Sequence, residues 1–430
     1  MTVKIGLVGT GTVGGGCIEL LKKHTADYKS RYGLDLQLAR VCSKEPAQAE
    51  EHSVADIFTE EYTDIVNDPE IDIVIELVGG TTIAKKIVCE ALEAGKHVVT
   101  ANKALLATYG EEIEALAAKN GCKLYYEASV GGGIPIIGPL KHSLNASEIT
   151  SILGIVNGMT NYMLTRMASD GMDYDDVLAE AQAKGYAEAD PTADVDGLDA
   201  AAKIAIMASI AFNTRVTIDQ VACEGIRSIT PADLAAAKDM GYCVKLLAVA
   251  NRTDAGIEVR VHPAMVPVDH PLATVDGVFN AIYVVGDFIG PTMYFGQGAG
   301  SDPTASAVIG DVLELVGHIQ AGTGALPGNT YTDNLPLVST DDLVTRAYIR
   351  FQVVERPGVL AAMSAVFAKH EVSVHSVIQR GVGTEEADTV ELVYVTHSAR
   401  EADLRATLDD IAKLENVLVG PEPTLIRVIK

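Results

Sequence analysis

The chain is poor in aromatic and basic residues. It has no tryptophan, and its 33 lysine and arginine residues are outnumbered by 58 aspartate and glutamate residues, which gives a formal net charge of −25. A strongly acidic protein repels nucleic acid and anionic membrane surfaces, so we expect neither as a partner. An anionic ligand would therefore need local basic groups at its binding site.

Cysteine pairs and long apolar runs are also missing. The six cysteines are scattered and form no CxxC motif, which favours reduced thiols over disulfides or a zinc site. No apolar run reaches the roughly 20 residues of a membrane-spanning helix. The start MTVKIGLVG leads directly into a strand pattern rather than a signal peptide. We therefore expect a cytoplasmic protein.

The first part of the chain alternates strand and helix patterns. A chain of 430 residues is too long for one hydrophobic core, so we expect two or three domains. The alternation predicts an α/β domain over residues 1–128, with a Rossmann-type doubly wound parallel sheet. The strand patterns are Val3–Val8, Leu36–Cys42, Asp72–Leu77, His97–Thr100 and Lys123–Glu127. The helix patterns are Gly14–His24, Ile83–Ala94 and Gly110–Asn120.

The pattern changes at about Ser129 and again after a linker at residues 320–333. Residues 129–335 mix long helices with antiparallel strand candidates, which predicts an α+β domain for catalysis and dimerisation. Its last helix, predicted over residues 302–319 with Asp302 as N-cap, is expected to pack back on the first domain. Residues 345–430 follow the βαββαβ order of a ferredoxin-like domain. The antiparallel candidates are Ile149–Val156, Lys245–Ala250, Glu258–Pro263 and Ala281–Val285.

A glycine-rich turn follows the first strand and opens a helix. In GTGTVG, the first glycine permits a tight turn, the second lets the backbone approach a pyrophosphate, and the third allows close helix–strand packing. The helix N-terminus then binds the phosphates. The alternative is a glycine-rich turn without a ligand. The predicted dinucleotide contacts are Gly9, Thr10, Gly11, Thr12, Val13 and Gly14.

The second strand lacks the acidic residue that usually binds the adenosine ribose of NAD. Arg40 and Lys44 lie there instead, and basic side chains at this point favour a 2′-phosphate. We therefore predict that NADP(H) is preferred, with NAD(H) possible. The alternative is that both residues are solvated surface charges.

Two lysines indicate proton transfer chemistry. Lys203 lies in an apolar helix directly after an acidic loop, and a buried ammonium in such a place must be paired. Lys103 follows a strand at the expected ligand-binding edge of the sheet. Two lysines in one site repel each other, which lowers the pKa of at least one toward neutrality. The alternatives for the acidic loop are a solvated, helix-capping turn and a calcium loop, although EF-hand spacing is missing.

The acidic loop completes a family signature. The chain resembles the homoserine dehydrogenase family, in its monofunctional form with a C-terminal ACT domain, over essentially its full length. VTANKALL around Lys103 and GGGIPII around Gly132 also resemble the family. The signature residues are Ala181, Gly185, Asp190, Pro191, Asp194, Gly197, Asp199 and Lys203.

The resemblance implies the reversible NAD(P)-dependent interconversion of L-homoserine and L-aspartate 4-semialdehyde, in threonine, methionine and isoleucine biosynthesis. Lys203 is the implied general acid and base, and Lys103 is a second catalytic lysine that also contacts the cofactor. The expected substrate contacts are Glu188, Asp199, Asp194, Gly185, Asn157 and Thr160. Further expected cofactor contacts are Ser129 and Gly300.

The family also binds a monovalent cation, often sodium. The implied ligands are the Glu127 side chain and the backbone carbonyls of Val130, Gly132 and Ile134. Glycines that free carbonyl groups suit a hard cation. The alternative is that Glu127 is a surface acid at the end of a strand.

The C-terminal segment VERPGVL resembles an ACT signature. ACT domains commonly bind amino acids, so feedback control by L-threonine is implied, and pairing of such domains implies a homodimer or homotetramer. A purely structural or dimerising domain is the alternative. The expected effector contacts are Arg356, Gly358, Val359 and Leu360.

Two other functions remain possible at this stage. The chain could be a non-catalytic amino-acid sensor in which the C-terminal domain is the working part. It could also be another NADP-dependent oxidoreductase that acts on a small amino acid. The lysine and the acidic loop argue against a sensor, because a sensor has no use for them.

Overall fold

The computed structural model describes residues 2–323, 331–381, 389–420 and 422–429. Part of the predicted linker, residues 324–330, lies outside these ranges. The strands are β1 (Val3–Val8), β2 (Leu36–Cys42), β3 (Phe58–Thr59), β4 (Ile73–Glu76), β5 (His97–Thr100), β6 (Leu124–Tyr125), β7 (Ile149–Ile155), β8 (Ala222–Cys223), β9 (Tyr242–Thr253), β10 (Gly256–Pro267), β11 (Phe279–Gly286), β12 (Gly290–Gln297), β13 (Val344–Val354), β14 (Val374–Gly381), β15 (Thr389–Thr396), β16 (Ala399–Arg400) and β17 (Thr424–Val428). The helices are α1 (Thr12–Tyr32), α2 (Ala47–Glu51), α3 (Thr63–Val66), α4 (Ile83–Glu93), α5 (Lys103–Lys119), α6 (Gly158–Asp170), α7 (Tyr174–Ala183), α8 (Thr192–Val195), α9 (Leu198–Ala211), α10 (Pro231–Asp239), α11 (Ser301–Ala321), α12 (Val359–Lys369) and α13 (Glu401–Ala412).

The chain forms two compact units. The first comprises residues 1–158, 199–221 and 278–335, and the second comprises residues 159–198, 222–277 and 336–430. The first unit contains a parallel sheet in the order β3-β2-β1-β4-β5-β6. Strand order reverses direction between β1 and β4, and ligands bind at such a switch point, outside the carboxyl ends of the strands.

Apolar side chains cover both faces of this sheet. Helices α1 and α11 bury one face together with Ile5, Leu7 and Ile75, while α4 and α5 bury the other. Glycine allows α1 and α11 to approach closely, because a Cβ atom on Gly16 would lie 2.6 Å from the Ser301 hydroxyl oxygen. The first unit also contains an antiparallel arrangement of β12, β11 and β7.

The second unit contains the C-terminal βαββαβ fold. In the second unit as a whole, β9 and β10 precede the strands of this fold in one sheet, in the order β9-β10-β17-β13-β15-β14. Helices α12 and α13 pack on the C-terminal sheet, around a core that includes Phe351, Phe367 and Tyr394. The predicted fold class is therefore confirmed, with a parallel Rossmann-like sheet, a mixed second sheet and a C-terminal ferredoxin-like domain.

Several element boundaries differ from the sequence-based predictions. Helix α1 continues to Tyr32, and α5 begins at Lys103 rather than Gly110. Helix α11 begins at Ser301 with Gly300 as its N-cap, so the prediction of Asp302 as N-cap was wrong. Strands β3 and β12 were not predicted. Among the described residues, no helix has the combination of length and hydropathy that a bilayer crossing requires.

Candidate active site

One carboxylate contacts both predicted catalytic lysines. Asp199 and Lys203 lie one turn apart on α9, so their side chains share a face of the helix. The Lys203 Nζ atom lies 2.7 Å from Asp199 Oδ2, and the Lys103 Nζ atom lies 2.9 Å from Asp199 Oδ1. All three side chains belong to the first unit, and together they form a lysine–aspartate–lysine group.

The surroundings of this group hold Lys203 in place. Lys203 is 8% exposed and donates a second hydrogen bond to the Val156 carbonyl oxygen at 2.6 Å. The Asn157 side-chain amide donates to Asp199 Oδ2 at 2.9 Å. Burial alone would raise the pKa of Asp199, but the ammonium groups of Lys203 and Lys103 outweigh it, and the net pKa lies below the usual value. Asp199 is therefore a stable anion between two cations.

Lys103 is aimed from the carboxyl edge of the parallel sheet. It is the first residue of α5, directly after β5, and Asn102 caps the helix by accepting a hydrogen bond from the Leu105 N–H at 3.0 Å. Its side chain is 43% exposed. One lysine of the pair is thus buried and the other reaches toward solvent.

The backbone of the predicted dinucleotide turn requires glycine at two of its positions. Gly9 has φ +101°, and a Cβ atom there would lie 2.7 Å from the Leu77 carbonyl group. A Cβ atom on Gly14 would lie 2.0 Å from the Gly9 oxygen, whereas one on Gly11 would have no atom of the described residues within 4 Å apart from its chain neighbours. Gly11 therefore faces open space where phosphates can approach the backbone.

A cavity of about 400 Å³ opens beside this turn. Thr10 lines it and donates a hydrogen bond to the Gln48 side-chain oxygen. The lining also includes His52 and Ser301, which sequence reasoning missed because α2 is short and α11 is distant in sequence. Thr12 and Val13 are the first two residues of α1.

The two basic residues predicted for a 2′-phosphate have carboxylate partners. Arg40 lies opposite Gly6 in the sheet, two positions before the end of β2, and its guanidinium lies 3.7 Å from Asp68. Lys44 follows the strand and pairs with Glu61 at 2.9 Å, with both side chains more than half exposed. Neither basic residue lines the cavity beside the glycine turn.

The other predicted cofactor contacts lie on local turns. Ser129 is 3% exposed and donates its hydroxyl hydrogen bond to the Tyr126 carbonyl oxygen at 2.6 Å. Gly300 caps α11 with φ +122°. The hydroxyl proton of Ser129 is thus already donated to a backbone carbonyl oxygen of the same turn.

The residues implied as cation ligands form a compact loop. The Glu127 carboxylate accepts backbone N–H groups from Ile136 at 2.6 Å, Ile137 at 2.8 Å and Gly138 at 2.6 Å, so both of its oxygens already have donors. The implied backbone ligands are Val130, Gly132 and Ile134. Within the described ranges, no backbone hydrogen bond reaches their carbonyl oxygens, although all three residues are buried. Three such carbonyl groups suit a hard monovalent cation.

The remaining predicted substrate contacts belong to the second unit. Gly185 follows α7 with φ +73°. Glu188 is exposed, and its carbonyl oxygen accepts a hydrogen bond from the Gln182 side chain at 3.1 Å. Asp194 lies in the first turn of α8, and Thr160 is buried within α6. The structure therefore brings Lys103, Asn157, Asp199 and Lys203 together in the first unit.

The predicted effector contacts surround the start of α12. Gly358 is its N-cap with φ +96°, a conformation that favours glycine. Arg356 donates to the Glu415 carbonyl oxygen at 3.4 Å, Val359 is buried and Leu360 is 43% exposed.

Comparison with known proteins supports the same interpretation. Family models match for the NAD-binding domain of homoserine dehydrogenase at residues 9–127, for homoserine dehydrogenase at residues 135–313 and for an ACT domain at residues 347–416. A homoserine dehydrogenase from Synechocystis sp. is 45% identical and the match covers 100% of both chains. The chain belongs to the homoserine dehydrogenase family.

Solved structures of homoserine dehydrogenases agree. The enzyme from Thiobacillus denitrificans superposes with a TM-score of 0.93 at 38% identity, covering 100% of this chain and 98% of that one. A hyperthermophilic archaeal homoserine dehydrogenase in complex with NADPH has a TM-score of 0.63 at 27% identity, covering 73% of this chain and 97% of that one. The predicted homoserine dehydrogenase activity, its nicotinamide cofactor and the ACT domain are confirmed.

Proposed function

We propose that Lys203 is the general acid and base of this homoserine dehydrogenase, assisted by Lys103. The observation that carries the proposal is the shared carboxylate, because Asp199 draws both ammonium groups to one point in the first unit. A base near the operating pH must take the substrate hydroxyl proton during oxidation. Lys203 is buried and held by Val156 and Asp199, which orients its Nζ atom for this task.

The residues have complementary roles in the two directions. A bound oxidised nicotinamide would supply the acceptor for the hydride that leaves the carbinol carbon of L-homoserine. Neutral Lys203 takes the hydroxyl proton as the carbonyl of L-aspartate 4-semialdehyde forms. In the reverse direction its ammonium returns that proton to the oxygen, while the positive charge of Lys103 stabilises the negative oxygen. Asp199 keeps the two lysines close despite their repulsion.

The substrate also carries an ammonium and a carboxylate. Glu188, Asp194 and Asp199 are the proposed anionic contacts of the α-ammonium. Gly185, Asn157 and Thr160 are the other proposed contacts. This division of charge matches an amino-acid substrate, which needs cationic groups near its oxygens and anionic groups near its amine.

The acid–base role is tested with Lys203→Ala. We expect kcat to fall by about 10²- to 10⁴-fold, the usual contribution of a general acid–base residue. The dissociation constant of NADPH, measured by titration of its fluorescence, should be nearly unchanged. Lys119→Ala is the matched control, since Lys119 is an exposed lysine in the last turn of α5. Near-normal turnover in Lys203→Ala would contradict the proposal.

We also propose that NADP(H) is preferred over NAD(H). Lys44 is mostly exposed and its partner Glu61 is a surface residue, so the lysine can exchange this carboxylate for a 2′-phosphate. Arg40 is the second proposed contact. The test compares kcat/KM for NADPH and NADH in the wild type and in Lys44→Ala, which should lose efficiency only with NADPH. Equal efficiency with both cofactors in the wild type contradicts the preference.

We propose that a monovalent cation binds at the loop that begins at Glu127. The resemblance to the family suggests sodium. The carbonyls of Val130, Gly132 and Ile134 are the ligands that best support it, because the Glu127 carboxylate is already occupied by N–H donors. In a chloride series at constant ionic strength, sodium should raise the melting temperature above that in tetramethylammonium. Identical melting curves in the two salts would contradict the proposed cation site.

The ACT domain is proposed to bind an amino acid, L-threonine by resemblance, beside Arg356, Gly358, Val359 and Leu360. Inhibition by L-threonine in the wild type, and its loss in Arg356→Ala at unchanged basal turnover, would support this. Lys369→Ala serves as a control on the same domain, because its ammonium lies on the surface and pairs with Asp410. Unchanged inhibition in Arg356→Ala contradicts the proposed contact.

We propose that the chain forms a homodimer or homotetramer. Strand β12 is an edge strand of the first unit, and its alternating side chains Met293 and Phe295 are 40% and 54% exposed. Among the described residues, no strand pairs with the outer edge of β12, and exposed apolar side chains beside such an edge suit pairing with a second copy. Light scattering of Phe295→Glu should show a smaller species than the wild type. A monomeric wild type contradicts the proposal.

A further inference from the structure

A buried carboxylate lies at the carboxyl end of β4, close to the point where strand order reverses. Glu76 is the last residue of β4 and is 0% exposed. Its Oε1 atom accepts hydrogen bonds from the Val78 N–H at 2.8 Å and the Gly79 N–H at 3.3 Å. Its Oε2 atom accepts one from the Thr100 hydroxyl at 2.8 Å. Burying a charge is costly unless it is well hydrogen-bonded, so these three donors fix the carboxylate and the loop after β4.

Thr100 extends this arrangement to α5. It is the last residue of β5, it is fully buried, and its hydroxyl oxygen accepts the Asn102 N–H at 3.0 Å. The Asn102 side chain donates to the Gly80 carbonyl oxygen at 2.7 Å and caps α5. Glu76, Thr100 and Asn102 therefore join the loop after β4 to the residue immediately before Lys103.

We propose that Glu76 is a positioning residue for Lys103. This inference rests on the proposed catalytic role of Lys103. Lys103 leaves the backbone at the first position of α5, and its Nζ atom must reach Asp199. A shift of the helix start moves that atom directly, and a misplacement of about 1 Å can cost about 100-fold in rate. The hydrogen bond between Glu76 and Thr100 prevents this shift.

The experiment exploits the separate use of the two carboxylate oxygens. Glu76→Gln keeps an acceptor for the two backbone N–H groups but puts a donor where Oε2 was, so the Thr100 proton loses its acceptor. Thr100→Val removes the hydroxyl, and Thr100→Ser keeps it. We expect kcat to fall by about 10- to 100-fold in Glu76→Gln and Thr100→Val, with KM for NADPH nearly unchanged. Thr100→Ser should stay close to the wild type.

Glu70→Gln is the matched control, because Glu70 is an exposed acid just before β4 that pairs with Lys4. A second measurement separates positioning from general stability. Introducing Glu76→Gln into a Lys103→Met background should cause no further loss of kcat, because the residue acts through Lys103. An additional loss of similar size in that background would overturn the inference.

The outcomes also distinguish this inference from the proposed function. If Lys103→Met retains normal turnover, the catalytic role of Lys103 fails, and the inference fails with it. If Lys103→Met turns over measurably more slowly than the wild type while Glu76→Gln and Thr100→Val both turn over normally, the catalytic role stands and the positioning role is refuted. Should Glu76→Gln not fold, the pair Thr100→Val and Thr100→Ser still decides the question.

Discussion

Replacing Asp199 by asparagine tests the lysine–aspartate–lysine group most directly. The substitution keeps the size of the side chain and one acceptor oxygen but removes the charge between Lys203 and Lys103. Lys203 is then a buried ammonium that has lost the carboxylate it contacts at 2.7 Å. Breaking a buried pair in this way typically costs about 3–5 kcal/mol. Asparagine still accepts one hydrogen bond, so we expect a loss near the lower value, about 3 kcal/mol.

The loss should depend on pH in a specific direction. Lys203 can relieve the loss of the Asp199 charge by releasing its proton, which at pH 7 costs at most about 4–5 kcal/mol because an ordinary lysine has a pKa of about 10.4. In Asp199→Asn the folded state therefore holds this proton less tightly than the unfolded state does, and the variant regains stability as pH rises toward that value. The difference from the wild type should be large at pH 7 and smaller at pH 9.5.

Differential scanning calorimetry is the suitable assay, because the chain has no tryptophan for fluorescence. A loss of about 3 kcal/mol corresponds to roughly 6–12 °C in the melting temperature of a unit of this size. Asp196→Asn is the matched control, since Asp196 pairs with Arg227 and both side chains are more than one-third exposed. A difference below about 1 kcal/mol, or one that is the same at both pH values, would refute the reasoning.

Two further predictions concern the glycine turn and the second unit. Gly14→Ala should prevent NADPH binding and lower the melting temperature, because a Cβ atom there would lie 2.0 Å from the Gly9 oxygen. Gly11→Ala should weaken NADPH binding but keep the melting temperature within about 2 °C of that of the wild type. A lowered melting temperature in Gly11→Ala together with an unchanged one in Gly14→Ala would contradict this geometry of the turn. Arg427→Leu removes one arginine that pairs with Glu401, which is 1% exposed, while Arg405 still pairs with this carboxylate at 3.2 Å. The C-terminal domain should therefore lose about 3 kcal/mol of stability, the lower end for a broken buried pair, measurable by hydrogen exchange. Unchanged exchange would show that the pair contributes little.

Much of the fold could be predicted from the sequence, because strands and turns leave local residue patterns. The strand pattern Val3–Val8 and the following glycine turn predicted the first half of the parallel sheet, and His97–Thr100 matched β5 at both ends. Strand β12 was missed, since its sequence begins with Gly290 and Pro291, which usually mark turns. Its pairing with β11 provides the hydrogen bonds that its sequence does not suggest.

The start of α5 shows why the site was harder to predict. The sequence pattern predicts a helix that begins at Gly110, and glycine weakens a helix interior by about 1 kcal/mol relative to alanine. In the structure the helix passes through Gly110, and the Arg215 guanidinium lies 3.6 Å from where its Cβ atom would be. Arg215 also donates to the Ala107 carbonyl oxygen at 3.0 Å. A contact with a residue about a hundred positions away cannot be read from local propensity.

Charge partners distant in sequence were equally hidden. The pairing of Arg40 in β2 with Asp68 after α3, and of Lys44 after β2 with Glu61 after β3, depends on the tertiary fold. The carboxylate of Glu127 is bound by three N–H groups that lie 9 to 11 residues further along the chain. The residue types indicated that these charged side chains could bind ligands, but the fold determines which partner each side chain contacts.

The sharing of Asp199 explains how an acidic enzyme can stabilise an anionic oxygen. The net charge of −25 opposes any negative charge at long range, but salt screens charges beyond about 8 Å at physiological ionic strength. Asp199 contacts both ammonium groups with one carboxylate, so the two lysines bring one positive charge more than Asp199 neutralises. One carboxylate for two lysines is thus enough to hold them together and still leaves charge for the substrate oxygen.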